Sequence, residues 1–128
     1  MFFVIPGESL INPLMLNDTQ VIGLDVIKAP SSSNFPYWYE FVVQDEANLV
    51  AKIQANLKSD WYAAGFSERS VTIIFTDKTF QVIDDDKLTG EAEPARQYGE
   101  AHGIQSEFLN WKERQRVYLE KLNQARRT

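Results

Sequence analysis

The one histidine of the chain, His102, is the first residue to consider as a general acid or base. A catalytic imidazole needs a nucleophile and an orienting partner within hydrogen-bond reach. Glu100 is close in sequence, but residues two apart on a helix face in different directions. Because the chain has neither a cysteine nor a second histidine, the ligands that usually complete a zinc site with His102 are also missing. We therefore interpret His102, beside Gly103, as a helix-capping or surface residue, and we predict no catalytic residue and no metal ligand.

A second group with potential chemistry is an acidic segment that contains Asp84, Asp85, Asp86, Glu91 and Glu93, the only paired carboxylates that the sequence suggests. A calcium loop of the EF-hand type needs oxygen ligands at alternating positions, a glycine in mid-loop and a final glutamate. Asp84 and Asp86 fit the first two ligand positions. Leu88, however, replaces a later ligand, and Gly90 comes one position late. A solvated acidic loop is the alternative, and such a loop would suit a basic partner protein.

Aromatic residues crowd two stretches of the chain, Tyr37–Tyr39 and Trp61–Tyr62. Tyrosine and tryptophan can line an apolar pocket, in which their hydroxyl and indole N–H groups orient a ligand. The same residues can instead form part of the hydrophobic core, and the sequence leaves both interpretations open. The candidate ligand-binding residues are Tyr37, Tyr39, Trp61, Tyr62 and His102. No motif indicates a cofactor, so we expect none.

The strands that must position these residues are organised around residues 61–83, the stretch of highest apolar density. Val71, Ile73 and Phe75 occupy every second position, which is typical of a strand with one core face. The stretch predicts three antiparallel strands, Trp61–Phe66, Val71–Thr76 and Lys78–Ile83. Similar patterns predict three earlier strands, Phe2–Ile5, Thr19–Lys28 and Tyr37–Val43. Within the second of these, Gly23 marks a bulge or a close approach of the backbone.

Apolar residues at helical spacing predict the helices. Leu49, Ile53 and Leu57 form one face of a helix over Glu46–Leu57, for which Asp45 is a suitable N-cap. Two further helices are predicted later in the chain, a short one over Ala95–Ala101 that ends near Gly103 and a long amphipathic one over residues 105–127. The apolar stripe of the long helix can cover the protein's own sheet or pack on the helix of a second copy, and both possibilities stay open.

Composition and charge bound the class of protein. With 128 residues, of which 44% are hydrophobic, the chain suits a single domain over residues 1–128 with a real core. The net charge is −5 and uneven: residues 1–105 carry 7 Lys and Arg against 15 Asp and Glu, and residues 106–128 carry 6 against 3. The acidic body argues against nucleic-acid binding. The basic tail can meet the acidic body of another copy.

The apolar start of the chain raises the question of a signal peptide. It lacks a basic region, and Pro6, Gly7 and Glu8 interrupt the apolar run, so we interpret it as folded chain. No run reaches the roughly 18 apolar residues that a membrane-spanning helix needs. We therefore expect a cytoplasmic protein with no membrane partner.

Three stretches, WYAAGF, VTIIFTDKTFQV and ARQYGEAHGI, together resemble a family of small uncharacterised bacterial α+β proteins. The shared pattern is a Trp-Tyr pair, a β-hairpin that ends in a Phe-containing strand, and a helix end of the Tyr-Gly…Gly-Ile type. The resemblance spans about Tyr39–Ile104. It implies a small bacterial α+β domain and carries over no catalytic residue.

Together these patterns predict an α+β fold: a mainly antiparallel sheet with two to three helices packed on one face, in a loosely ferredoxin-like arrangement. For function, the uneven charge and the helical stripe favour a non-enzymatic binding or regulatory module that acts as a homodimer, with the C-terminal helix as a candidate contact. The alternative is a small-ligand-binding protein or enzyme with a pocket lined by the aromatic residues.

Overall fold

A computed structural model of the chain describes residues 2–29, 31, 36–67, 69–83, 92–104, 109, 116–117, 119–120 and 123. They include a six-stranded sheet, with strands β1 Phe2–Pro6, β2 Val21–Lys28, β3 Tyr37–Gln44, β4 Ala63–Phe66, β5 Ser70–Ile74 and β6 Thr79–Ile83. The helices are α1 Leu49–Asn56 and α2 Ala92–Ala101, with short 3-10 helices at Gly7–Ser9 and Pro13–Asp18. Neighbouring strands are antiparallel, which confirms the predicted α+β class and mainly antiparallel sheet.

The first strand of the chain lies in the middle of the sheet, whose strand order is β2-β3-β1-β4-β5-β6. Val4 of β1 is opposite Val42 on one side and Ala64 on the other. The residues Phe2–Ile5 of β1 are all buried, because alternate side chains of the strand lie in a hydrophobic core on each face of the sheet. The strands predicted over residues 61–83 form one flank of the sheet, and β2 with β3 forms the other. The sheet is open, with β2 and β6 outermost, as a loosely ferredoxin-like arrangement requires.

Each face of the sheet has its own hydrophobic core. On the α1 face, the helix residues Leu49 and Ile53 pack with a strand set made of Phe3, Ile5, Val43, Ala63 and Ile74. On the opposite α2 face, Ala92 and Ala95 pack with the alternate strand residues, which are Phe2, Val4, Ala64, Phe66, Val71, Ile73, Phe80 and Val82. The structure thus places α1 and α2 on opposite faces, whereas the sequence analysis expected the helices on one face. The reason is that β1, β4 and β5 carry buried apolar side chains on both sides, and both sides need a cover.

Helix α1 begins at Leu49, three residues later than predicted. Asn48 has a left-handed backbone with φ of 64°, so the chain makes a turn before the helix instead of starting it behind Asp45. Asparagine adopts this conformation more readily than most residues. The predicted apolar stripe is confirmed, because Leu49 and Ile53 are buried.

Helix α2 ends at Ala101, as the sequence predicted, and the turn after it contains Gly103, whose φ is 84°. The Gly103 N–H donates to the carbonyl of Glu100 at 3.1 Å. The Ile104 N–H donates to the carbonyl of Gly99 at 3.0 Å, which completes the pair of bonds of a Schellman motif. Ile104 is buried directly after this turn, so the chain is directed back onto the α2 face.

Several predictions fall outside the described residues. Residues 84–91 of the acidic segment are among them, so the calcium-binding and basic-partner interpretations stay predictions. Of the predicted helix over 105–127, residues 116–117, 119–120 and 123 are helical, whereas Leu109 is not. Leu109 and Leu119 pack with the α2 face. The rest of that helix, its contact with a second copy and the single-domain organisation also stay predictions.

Candidate functional site

A half-exposed apolar surface lies on the two strands at one edge of the sheet. Val26 of β2 is opposite Tyr39 of β3, and Leu24 is opposite Phe41. Opposite residues of an antiparallel pair share a face. On this face of β2 and β3, four apolar or aromatic residues have exposed fractions of about half: Leu24 53%, Val26 57%, Tyr37 51% and Tyr39 44%. We call these four residues the β2–β3 surface.

The β2–β3 surface belongs to the α1 face. Along β3, Tyr39 is followed at every second position by Phe41 and Val43, and such residues point to the same side of a strand. Val43 is fully buried in the core under α1, and Phe41 packs against that core from the side. Beyond Phe41 the apolar side chains become exposed. The β2–β3 surface therefore continues the α1 core sideways along the sheet, but unlike that core it is accessible to solvent.

The outer strand β2 has features that discourage pairing along its edge. Its register with β3 shifts between Val21 and Gly23, which confirms the bulge predicted at Gly23. Lys28, at the end of the strand, is exposed. Bulges and lysines are the devices by which native proteins prevent one sheet edge from pairing with another. The flat side of β2 and β3 is accordingly the better contact surface.

Charged residues of opposite sign lie at the two ends of the strand pair β2 and β3. Lys28 is exposed and lies opposite Tyr37 at one end. At the other end, where Val21 is opposite Val43, the exposed Asp45 follows β3. Lys28 and Asp45 thus give the strand pair a direction.

The predicted aromatic pocket is divided by the alternation of β3. Trp38 lies between Tyr37 and Tyr39, so its side chain lies on the other face of the strand. The ring of Trp38 meets Trp61 edge to face, with centroids 5.4 Å apart and planes at 67°. Trp61 therefore contacts β3 through Trp38. The side chains of Tyr37 and Tyr39 lie on the other face of this strand.

Tyr62 and His102 belong to another aromatic group, on the α2 face. The Tyr62 ring is 6.0 Å from Phe75, and Phe75 is 4.7 Å from Tyr98. Tyr98 then stacks on His102 with centroids 4.2 Å apart. The five candidate ligand-binding residues are therefore distributed over three places, and their role in ligand binding stays a prediction.

Tyr98 connects α2 to the turn between β5 and β6, because its hydroxyl donates to the carboxylate of Asp77. This hydrogen bond, with added effects of burial and the negative charge of Asp77, raises the pKa of Tyr98 to about 12. The phenol is therefore protonated and neutral near pH 7, which suits a structural donor. The Nδ1 atom of His102 lies 2.8 Å from the carbonyl oxygen of Tyr98, so the imidazole caps the end of α2, as expected.

The Tyr98–Asp77 contact leaves no signal in the sequence, because 21 residues separate the two. The four-residue spacing of Tyr98 and His102 is visible in the sequence, since it places both on one side of a helix. No local pattern, however, places Asp77 beside them. The contact depends on how α2 crosses the sheet, which only tertiary structure determines.

A second missed feature is a pair of carboxylates in the sheet. Glu40 is buried, with 2% of its surface exposed, and it lies opposite Asp25 of β2. The sequence suggested paired carboxylates only in the acidic segment, so this pair is an addition. Both residues have interaction partners in the structure. The available signal was the position of Glu40 within a strand that is apolar on both sides.

Other site classes find no support in the part of the chain that the structure describes. There, no three His, Cys, Asp or Glu side chains come together to hold a metal ion. Within the same residues, no helix combines the length and apolar character needed to cross a membrane. Comparisons with protein-family models, with curated proteins and with solved structures find no match for the chain.

Proposed function

We propose that the protein is a non-enzymatic binding module that acts as a homodimer in the bacterial cytoplasm. The observation that supports this best is the β2–β3 surface, because contiguous exposed apolar side chains rimmed by polar ones mark contact sites. Tyrosine is enriched at protein interfaces, and two of the four side chains of this surface are tyrosines. Binding through one side of a sheet needs neither an enclosed pocket nor a reactive group.

The small-ligand alternative has less support from the geometry. A shared pocket would need the predicted aromatic residues and His102 around one cleft, whereas they lie in three places. Tyr98 does have a shifted pKa, but the shift is upward. A phenol that loses its proton less readily than free tyrosine is a poorer acid near neutral pH, which does not favour general acid–base chemistry.

Light scattering on a size-exclusion column tests the homodimer with the full chain. We expect the measured mass to rise toward twice that of one chain as the concentration increases from low to high micromolar. Mass action requires this rise for any reversible dimer. A mass that stays at one chain at the highest concentration would remove the homodimer from the proposal.

A further inference from the structure

Building on the proposed function, we infer that the second copy packs on the β2–β3 surface itself, sheet against sheet, about a two-fold axis that runs across the strands. Such an interface is self-complementary, since the same four residues of each copy meet across the axis. It assigns the dimer contact to the sheet, whereas the sequence offered the C-terminal helix as one candidate contact.

The size of the surface fits a dimer contact. An aromatic side chain presents about 150–250 Å² and an aliphatic one somewhat less, so four side chains exposed by about half present about 350–400 Å². Each partner of a standard interface buries about 800 Å², of which about 57%, or about 450 Å², is apolar. The β2–β3 surface therefore supplies nearly the whole apolar part of one side of a dimer.

Only one side of these two strands offers this contact. On the opposite side, Glu40 is buried, and Ile27 and Val42 are partly buried. Along the edge, the bulge at Gly23 and the charge of Lys28 oppose strand pairing. Packing of two sheets face to face, about 10 Å apart, leaves both of these features undisturbed.

Charge distinguishes two ways of stacking the copies. An axis parallel to the strands would place the two Lys28 side chains at one end of the interface and the two Asp45 side chains at the other. An axis across the strands reverses one copy, so that Lys28 of each copy lies at the Asp45 end of the other. β2 has 8 residues and spans about 25 Å, so the arrangements differ clearly. Complementary charges favour the reversed arrangement.

The first test is sedimentation equilibrium of the full chain and of Val26→Lys over a concentration series. Val26 is already 57% exposed, so the variant is expected to fold, while a lysine in the centre of the interface is unfavourable. We expect the dissociation constant of the dimer to rise at least about 30-fold, as for loss of an interface hot spot. Leu24→Lys is a second variant with the same expectation, and thermal melts verify that both fold.

The matched control is Ile11→Lys. Ile11 is an apolar residue with 67% exposure that lies outside β2 and β3. The variant adds the same charge to the chain, so it reports any general effect of net charge on association. We expect it to change the dissociation constant less than about twofold, since a residue outside the contact carries little binding energy.

A charge exchange tests the direction of packing. The pair occurs twice in a two-fold dimer, so we expect Lys28→Glu and Asp45→Lys each to weaken the dimer about two- to thirtyfold, the range of two exposed ion pairs. The double variant restores the pair with its signs exchanged, and we expect its dissociation constant within about twofold of the original.

The outcomes separate the two proposals. A chain that is monomeric at every concentration overturns the homodimer and the interface together. A dimer that persists in both Val26→Lys and Leu24→Lys overturns the β2–β3 interface and leaves the homodimer standing. If the two lysine variants dissociate the dimer but the charge exchange restores nothing, the reversed arrangement is overturned.

Discussion

The two flanks of the sheet carry similar apolar patterns in different surroundings. On one flank, Ile73 of β5 is opposite Phe80 of β6, and both are buried on the α2 face. On the other flank, Val26 of β2 is opposite Tyr39 of β3, and both are about half exposed. The difference follows from chain order: α2 comes after β6 and packs on that flank, whereas α1, the helix after β3, packs toward the middle of the sheet.

This contrast shows that an apolar pattern answers only one of two questions: whether a stretch forms a strand with an apolar side, and what covers that side. Alternation indicates that a stretch is a strand with one apolar side. It does not indicate whether that side is covered by the same chain or by another one. On the β5–β6 flank the cover is α2, and on the β2–β3 flank we propose that it is a second copy. Substitutions at matched positions of the two flanks measure the difference directly.

The largest expected effect comes from truncating a covered side chain and its uncovered counterpart. Ile73→Ala removes a fully buried side chain, so we expect a loss of about 2–5 kcal/mol in the free energy of unfolding. Val26→Ala removes a half-exposed one, so we expect a change within about 0.5 kcal/mol. Urea denaturation at a low protein concentration, where the monomer dominates, gives both values. Equal losses would contradict the assignment of one flank to the core and the other to an open surface.

A second comparison uses one glycine on each side of β1. A Cβ added at Gly65 of β4 would lie 2.6 Å from a ring carbon of Phe3, which has no free space to move into because it is buried. We therefore expect Gly65→Ala to cost about 1–3 kcal/mol through overpacking. A Cβ at Gly23 of β2 would lie 3.5 Å from Val42, an ordinary contact.

Gly23→Ala is the control for this comparison. Alanine is favoured over glycine in a strand by about 0.5–1 kcal/mol, so the variant should be neutral or slightly stabilising. Thermal or urea denaturation of both variants provides the measurement. A Gly65→Ala protein as stable as the original would show that the core beside Phe3 is looser than the structure indicates.

The sequence predicts the strands and the helix end well, because their signals are local. The alternation of Val71, Ile73 and Phe75 indicates their shared core face, and Gly103 indicates the end of α2. The central position of β1 is not local, since it depends on which strands pair with Phe2–Pro6. The start of α1 was misplaced because the left-handed Asn48 overrides the capping signal of Asp45.

The candidate site shows the same division between features with a local sequence signal and features that depend on strand pairing. Tyr37 and Tyr39 were candidates from their residue type alone. Pairing of β3 with β2 places them beside Lys28 and Val26, and not beside the other aromatic candidates. Leu24 and Val26 were predicted as strand residues, and nothing in their spacing showed that no element of the described chain covers them. The Tyr98–Asp77 contact joins distant segments, so no spacing rule reveals it.

A smaller effect tests how α1 is fixed to the covered flank. The side-chain amide of Gln54 donates to the carbonyl of Phe75 at 3.2 Å and to the hydroxyl of Thr79 at 2.9 Å. We expect Gln54→Ala to lower the free energy of unfolding by about 1 kcal/mol, since it removes partly buried hydrogen bonds. Lys52→Ala on the same helix loses only an exposed ion pair with Glu46 and should cost less than about 0.5 kcal/mol. Equal losses in urea denaturation would contradict this role of Gln54.

The smallest effect concerns the hydroxyl of Tyr98, which fixes α2 over the covered flank. Its pKa is about 12 in the folded protein against an ordinary value of 10.0, with the hydrogen bond to Asp77 as the main cause. Between these pH values the folded chain keeps a proton that the unfolded chain has lost. The stability that this bond contributes is therefore complete below pH 10.0 and is lost as the pH rises toward about 12.

Tyr98→Phe isolates this contribution because it keeps the ring that packs on Phe75 and Phe80. We expect the original chain to be more stable than the variant near neutral pH and this advantage to shrink as the pH passes from 10 to 12 in denaturation experiments. Asp77→Asn keeps a hydrogen-bond acceptor but removes the charge, so its pH dependence over this range should be weaker. A stability advantage that is constant from pH 10 to 12 would mean that the hydrogen bond to Asp77 does not raise the pKa of Tyr98. Helix α2 would then be fixed on its flank by apolar packing alone.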